Sequence, residues 1–206
     1  QYSDTPIVYG DYFKFRIDNY IVPNLISDDC PKRNPGETLF EIPFKNPQVA
    51  YREIRQKLLK MEHPLLFLKN LKSIVWYDTV SRNTRLEFRK HFMESFVSRG
   101  IRCERIIDDN AGNQSEMWLF SRDVKLTEGT FPVSVGYFLI YDDQKIPHID
   151  IDVKPGVFCF FPTSEKFGSC FISHAPFLLV DNRQQVKNNE PVNKLLSESI
   201  VKLAAD

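Results

Sequence analysis

The stretches Met117-Trp-Leu-Phe-Ser121 and Val133-Ser-Val-Gly-Tyr-Phe-Leu-Ile-Tyr141 decide the fold class. Both are rich in the aromatic and β-branched side chains that suit a pleated, half-buried surface. Working outward, the same texture recurs at Ile74–Tyr77, Leu86–Phe92, Val157–Pro162 and Cys170–Val180. Turn signals separate these runs: Asp108–Gly112, Asp142-Asp143 and Thr163–Gly168, the last reading as an ordinary polar hairpin tip. Two earlier strands are expected at Tyr12–Ile17 and Thr38–Phe44, divided by the polar loop Ser27–Gly36 with its two prolines. In the second of these, Leu39, Glu41 and Pro43 would face one way and Phe40, Ile42 and Phe44 the other, with Pro43 marking a sheet edge or a strand end.

Helices flank the strands. Asn46 is a good N-cap and Pro47 suits the first helical position, where its missing N–H costs nothing. Pro47, Tyr51, Ile54 and Leu58 then form a stripe at helical spacing, as expected of an amphipathic helix packed on something. Pro64 interrupts the pattern, and Leu65–Leu71 reads as a second, short helix. Near the end of the chain, Val192, Leu195, Leu196, Ile200 and Leu203 share one face of a helix opened by Pro191. Terminal helices around a meander of strands predict an α+β fold: a mixed, mainly antiparallel sheet with helices packed on it.

Composition narrows the function classes. The 206 residues are 42% hydrophobic and 13% aromatic, enough for a substantial core. Lys+Arg and Asp+Glu both number 27. A balanced charge argues against a nucleic-acid or membrane-surface binder that works through bulk electrostatics. No apolar run reaches the length of a membrane helix, and no signal-like segment opens the chain. The chain begins with Gln1 and runs at once into strand-like text, so it reads as a piece of a longer protein. The four cysteines (Cys30, Cys103, Cys159, Cys170) are widely spaced and lack a CxxC pair, which points to reduced thiols in a cytoplasm. If their strands form a hairpin, Cys159 and Cys170 face each other.

Few constellations carry chemistry. His148, Asp150 and Asp152 alternate and on a strand would share a face, as metal ligands or as its solvated side. Their spacing of about 6–7 Å is too wide for all three to reach one ion unaided, and the reading is no metal site. The four histidines (His63, His91, His148, His174) have no characteristic catalytic neighbours, and no nucleophile-elbow, zinc-protease, EF-hand or phosphate-loop motif occurs. Cys170–Gln185 is the most informative stretch. An apolar strand ends in the N-cap pair Asp181-Asn182, and Arg183 follows on the expected first turn of a short helix. There it is either an anion-binding group beside helix amides or a plain surface arginine on a cap.

The runs Val157–Thr163, Phe171–Phe177 and Asp181-Asn182-Arg183 resemble the segment that follows the ATPase domain in sacsin-like proteins, relatives of the ninety-kilodalton heat-shock chaperones in the superfamily shared with gyrase, histidine kinases and MutL. Gln1–Pro6 with Phe13–Ile17 resembles text just after the lid motif of such ATPase domains, and Gly36–Phe44 resembles their last sheet strand. The resemblance implies two domains: residues 1–44 as the C-terminal remnant of an ATP-binding domain, and residues 45–206 as a middle, or transducer, domain. It further implies that ATP and magnesium bind in the parent protein but not in this fragment, because the magnesium-binding Asn, the adenine-reading DxG Asp and the glycine-rich lid lie outside it. Two positions carry over. Thr38 would support the adenine site, and Arg183 would be the catalytic arginine that reaches the γ-phosphate when the domains dock. The implied partners are the upstream ATP-binding domain and protein clients. A non-catalytic interaction module on the same fold stands as the alternative, given 17 Phe, 8 Tyr and 2 Trp. A hydrolase using His148, Asp150 and Asp152 ranks last.

Overall fold

The computed structural model describes residues 7–9, 14–18, 22–26, 34–77, 85–154, 156–166 and 170–206. The sequence readings at residues 1–6, 12–13, 27–33 and 167–169, and Cys30, lie outside the described residues. The fold is α+β, with mostly antiparallel sheets and, among the described residues, two helices. No helix among the described residues is long and apolar enough to cross a membrane. The chain forms two compact units, Gln1–Lys60 and Met61–Asp206, so the division falls beyond the 44/45 boundary expected from sequence.

The first unit holds β1 (Ile7–Tyr9), β2 (Lys14–Asp18), β3 (Val22–Leu25), β4 (Leu39–Glu41) and α1 (Pro47–Leu59). Its sheet runs β3-β2-β1-β4, with Val8 and Tyr9 buried and the Tyr9 hydroxyl donating to Glu41 Oε2 at 2.9 Å. α1 starts as expected, with Asn46 Oδ1 accepting from Val49 N at 3.3 Å and Pro47 at the first turn. Its apolar stripe does not pack as expected: none of its residues is buried, and Tyr51 and Ile54 stay 36% and 39% exposed.

The second unit is organised by one large sheet. Its meander comprises β5 (Ser73–Tyr77), β6 (Arg85–Ser98), β7 (Ile101–Asn110), β8 (Asn113–Leu126) and β9 (Gly129–Tyr141). β10 (Pro147–Ile149), β11 (Val157–Cys159), β12 (Phe161–Pro162) and β13 (Ile172–His174) complete it, in the order β12-β11-β13-β9-β8-β7-β6-β5, with β10 paired on β9. β7 escaped the sequence reading because charged residues interrupt its apolar ones and Asp108–Asn110 looks like a turn. The actual turn is only Ala111-Gly112, both at positive φ (55° and 95°), a two-residue hairpin connection whose twist suits antiparallel strands. Arg99-Gly100 (φ 50° and 77°) joins β6 to β7 in the same way.

Cross-strand partners share a face, so the sheet has two distinct sides. One side carries Val133, Val135, Val157 and Ala175 and packs against α2 (Pro191–Ala205) through Leu196, Ile200 and Leu203. The expected stripe of this helix is right except at Leu195, which is 44% exposed, while the unanticipated Asn193 is buried. The other side carries Ile106, Met117, Leu119, Phe138, Phe158 and Ile172 and is covered by Leu66 and Phe67. The expected helix at Leu65–Leu71 does not form. The segment folds instead as tight turns, with Leu66 N on His63 O (3.3 Å) and Leu68 N on Leu65 O (3.0 Å). The carbonyls of Leu65, Leu66 and Leu68 accept from the Lys90 ammonium, at 2.9, 3.3 and 2.8 Å.

Candidate functional site

The stretch read as one strand, Cys170–Val180, is ordered differently. Only Ile172–His174 is a strand, and β13 runs parallel to β11, with Val157 opposite Ser173 and Phe158 opposite His174. Cys159 and Cys170 are therefore not hairpin neighbours. The Cys159 thiol lies 3.3 Å from the Phe177 carbonyl, and burial pushes its pKa up. Val157–Pro162 is broken as well: Phe160 adopts φ 64° between β11 and β12, which pair antiparallel.

After β13 the chain makes a small hairpin closed by the Leu179–Val186 bridge, and Arg183 lies in its loop. The expected N-cap and short helix are absent. Arg183 is exposed, at φ 56°, with its own N–H donating to Val180 O at 2.8 Å. Asn182 Oδ1 accepts from Gln184 N at 2.9 Å, so its side chain closes a local turn. A turn of this kind wins here because Asn stabilises turns as readily as helix starts. Among the described residues the Arg183 guanidinium has no hydrogen-bond or ion-pair partner.

The loop around it is firmly held. Val180 N donates to Gln185 O at 2.9 Å and Lys187 N to Leu178 O at 2.9 Å. Asn193 on α2, 3% exposed, secures the base: its Oδ1 accepts from Leu178 N (2.8 Å), and its Nδ2 donates to the carbonyls of Leu178 (2.9 Å) and Lys187 (2.8 Å). Ser164 secures the tip, donating to Gln184 O through both its N–H (2.7 Å) and its hydroxyl (2.8 Å). Sequence reasoning missed Asn193, yet its signal was present: a polar residue at 193 in register with the apolar positions 196, 200 and 203 asks for a buried partner.

Thr38 is exposed, directly before β4, and belongs to the Gln1–Lys60 unit, whereas Arg183 belongs to Met61–Asp206. His148, Asp150 and Asp152 do not come together. β10 ends at Ile149, so the expected alternation stops; His148 Nε2 lies 3.1 Å from Asp142 Oδ2, and Asp150 Oδ1 accepts from Asp152 N at 3.0 Å. No group of three or more His, Cys, Asp or Glu side chains among the described residues is placed to hold a metal.

Two histidines acquire partners that the sequence did not reveal. His63 Nδ1 sits 2.7 Å from Asp108 Oδ2, whose side chain is 2% exposed. His174 is stacked on Phe67 at 4.5 Å, and burial lowers its pKa to about 4, so its ring is neutral near pH 7. Burial also lowers the pKa of Lys90, against the opposing pull of Glu104 and Asp108. No protein-family model, curated protein or solved structure matches the chain.

Proposed function

We propose that the chain is a middle-domain fragment of a cytoplasmic, chaperone-like ATPase, inactive alone, that couples ATP binding and hydrolysis upstream to conformational change. The single observation that supports this reading is Arg183: an exposed guanidinium without a partner among the described residues, on a loop anchored by a buried Asn and a hydroxyl. An always-charged planar group on a held loop suits stabilisation of a transferring phosphoryl group and contributes only when it docks. Thr38 would serve the adenine side. ATP and magnesium supply the phosphoryl chemistry when bound, and the residues that hold magnesium and cover the phosphates would come from the upstream ATP-binding domain. Protein clients would respond to the resulting domain closure, a two-state element biased by nucleotide.

The test is ATP turnover and nucleotide affinity in the full-length protein, wild type against Arg183→Ala. Turnover should fall by about 100-fold or more with affinity little changed, as for loss of a transition-state arginine. Equal losses in both, or no turnover in the wild type, would transfer the reading to an interaction module. That alternative has its own support in the exposed apolar side chains of β6, Phe92, Met93, Phe96 and Val97.

A further inference from the structure

The sheet face opposite α2 is incompletely covered. Beside the Leu66–Leu71 segment it opens into a cavity of about 630 Å³, within the size range of small-molecule sites. Its floor is built by strand register. Arg102 pairs with Ser121, Ser121 with Ser134, and Ser134 with His174, giving one unbroken polar row across β7, β8, β9 and β13. The two serine hydroxyls are buried and lie 2.8 Å apart. Glu104, two residues along β7 from Arg102, lines the same cavity, and residues so spaced share a strand face at about 6–7 Å.

Arg102 and Glu104 are both part-buried, yet neither makes a hydrogen bond or ion pair with a described residue, including each other. Lys90 lines the same cavity and acts on Glu104 through its charge, but it gives Glu104 no hydrogen bond, because its three N–H donors are taken by three carbonyls. The wall is aromatic: Phe67 stacks on His174, and Phe160 meets the same ring edge-on at 5.1 Å. Phe160 is held at φ 64°, a conformation that a bulky residue adopts at a cost and one that tends to mark functional places. Two opposite charges without a direct hydrogen-bond or ion-pair partner among the described residues, a hydroxyl row and an aromatic wall in one cavity suit a ligand with the complementary pattern.

We propose that this cavity binds a free L-amino acid with a large apolar or aromatic side chain, its carboxylate on Arg102, its ammonium on Glu104 and its side chain against Phe67 and Phe160. The inference is independent of the ATP reading, since it uses none of the residues assigned there. His174 stays neutral, so it adds no further positive charge beside Lys90 and Arg102.

The experiment is titration of the full chain with L-phenylalanine and L-leucine, followed by calorimetry and amide chemical shifts, with 3-phenylpropionate and phenethylamine as comparators that each lack one charge. At least one amino acid should bind saturably, and removal of either charge should weaken binding by about tenfold or more. Arg102→Ala should erase the preference over phenethylamine, and Glu104→Gln the preference over 3-phenylpropionate. Phe160→Gly relieves the positive φ, so it should melt no lower than wild type while binding several-fold more weakly. Absence of saturable binding up to about 10 mM of either amino acid, or binding indifferent to both charge variants, would overturn the proposal.

Discussion

The two faces of the large sheet solve the same problem by different means. The α2 face is covered by a regular helix, and its apolar residues need nothing but shape: Leu196, Ile200 and Val133 are fully buried against one another's cluster. The opposite face is covered by Leu65–Leu68, a turn with no helix to satisfy its own carbonyls. It is therefore tied down by polar groups, Lys90 on three carbonyls and His63 on Asp108. A regular element brings its hydrogen bonds with it; an irregular cover must find them in the sheet beneath. The cost is buried polar residues, and the consequence is a face with room for a cavity.

The largest effect that would test this contrast lies on the helical face. Ile200→Ala removes a side chain with no exposure and should cost about 3–4 kcal/mol in chemical denaturation. A loss below about 1 kcal/mol would mean that α2 does not hold the sheet in this way.

Acid should act on the other face. The folded pKa of His174, about 4, lies below its ordinary 6.5, so the unfolded chain binds the extra proton between these values. Stability is full above about pH 6.5 and falls as pH drops toward 4, by about 3 kcal/mol in total. Thermal melts of wild type against His174→Gln over this window should diverge, the variant having the flatter profile. Parallel profiles would remove His174 as the cause.

Lys90→Met keeps the apolar stem but strands three carbonyls. It should cost about 2 kcal/mol and raise amide exchange at Leu66 and Leu68, whose N–H groups close the turn. A change confined to global stability, with no local exchange, would say that the lysine does not pin the turn.

The smallest effect has the opposite sign. Ser173 Oγ is buried without a partner among the described residues on the α2 face, where Ser173 pairs with Val135 and Val157. Ser173→Ala should therefore stabilise by about 1 kcal/mol. A loss instead would show that the Ser173 hydroxyl contributes to this face beside the Asn193 contacts.

Legibility followed the length over which a residue's environment is set. α1 and its Asn46 cap, α2 and the stems of β5, β6, β8 and β9 were readable because caps and periodicity act within a few residues. β7 was not, since its charges at Arg102, Glu104 and Asp108 make sense only beside the strands and cover they meet. The failed helix at Leu65–Leu71 has the same origin: a local pattern overruled by an ammonium from a residue 22 to 25 positions away. Arg183 was picked out by sequence, but its setting was wrong, because Asp181-Asn182 is equally good at starting a helix or closing a turn. The hairpin was settled by the Leu179–Val186 bridge and by Asn193.

The sequence by itself determined the α+β class, the meander strands other than β7 and most of the apolar stripe of α2, because alternation and helical spacing are properties of the chain alone. Only the tertiary structure decided which faces those strands share, that β11 and β13 run parallel, and that Arg102, Ser121, Ser134 and His174 form one row. Strand order and register are long-range pairings, and no local signal specifies which distant residue will stand opposite.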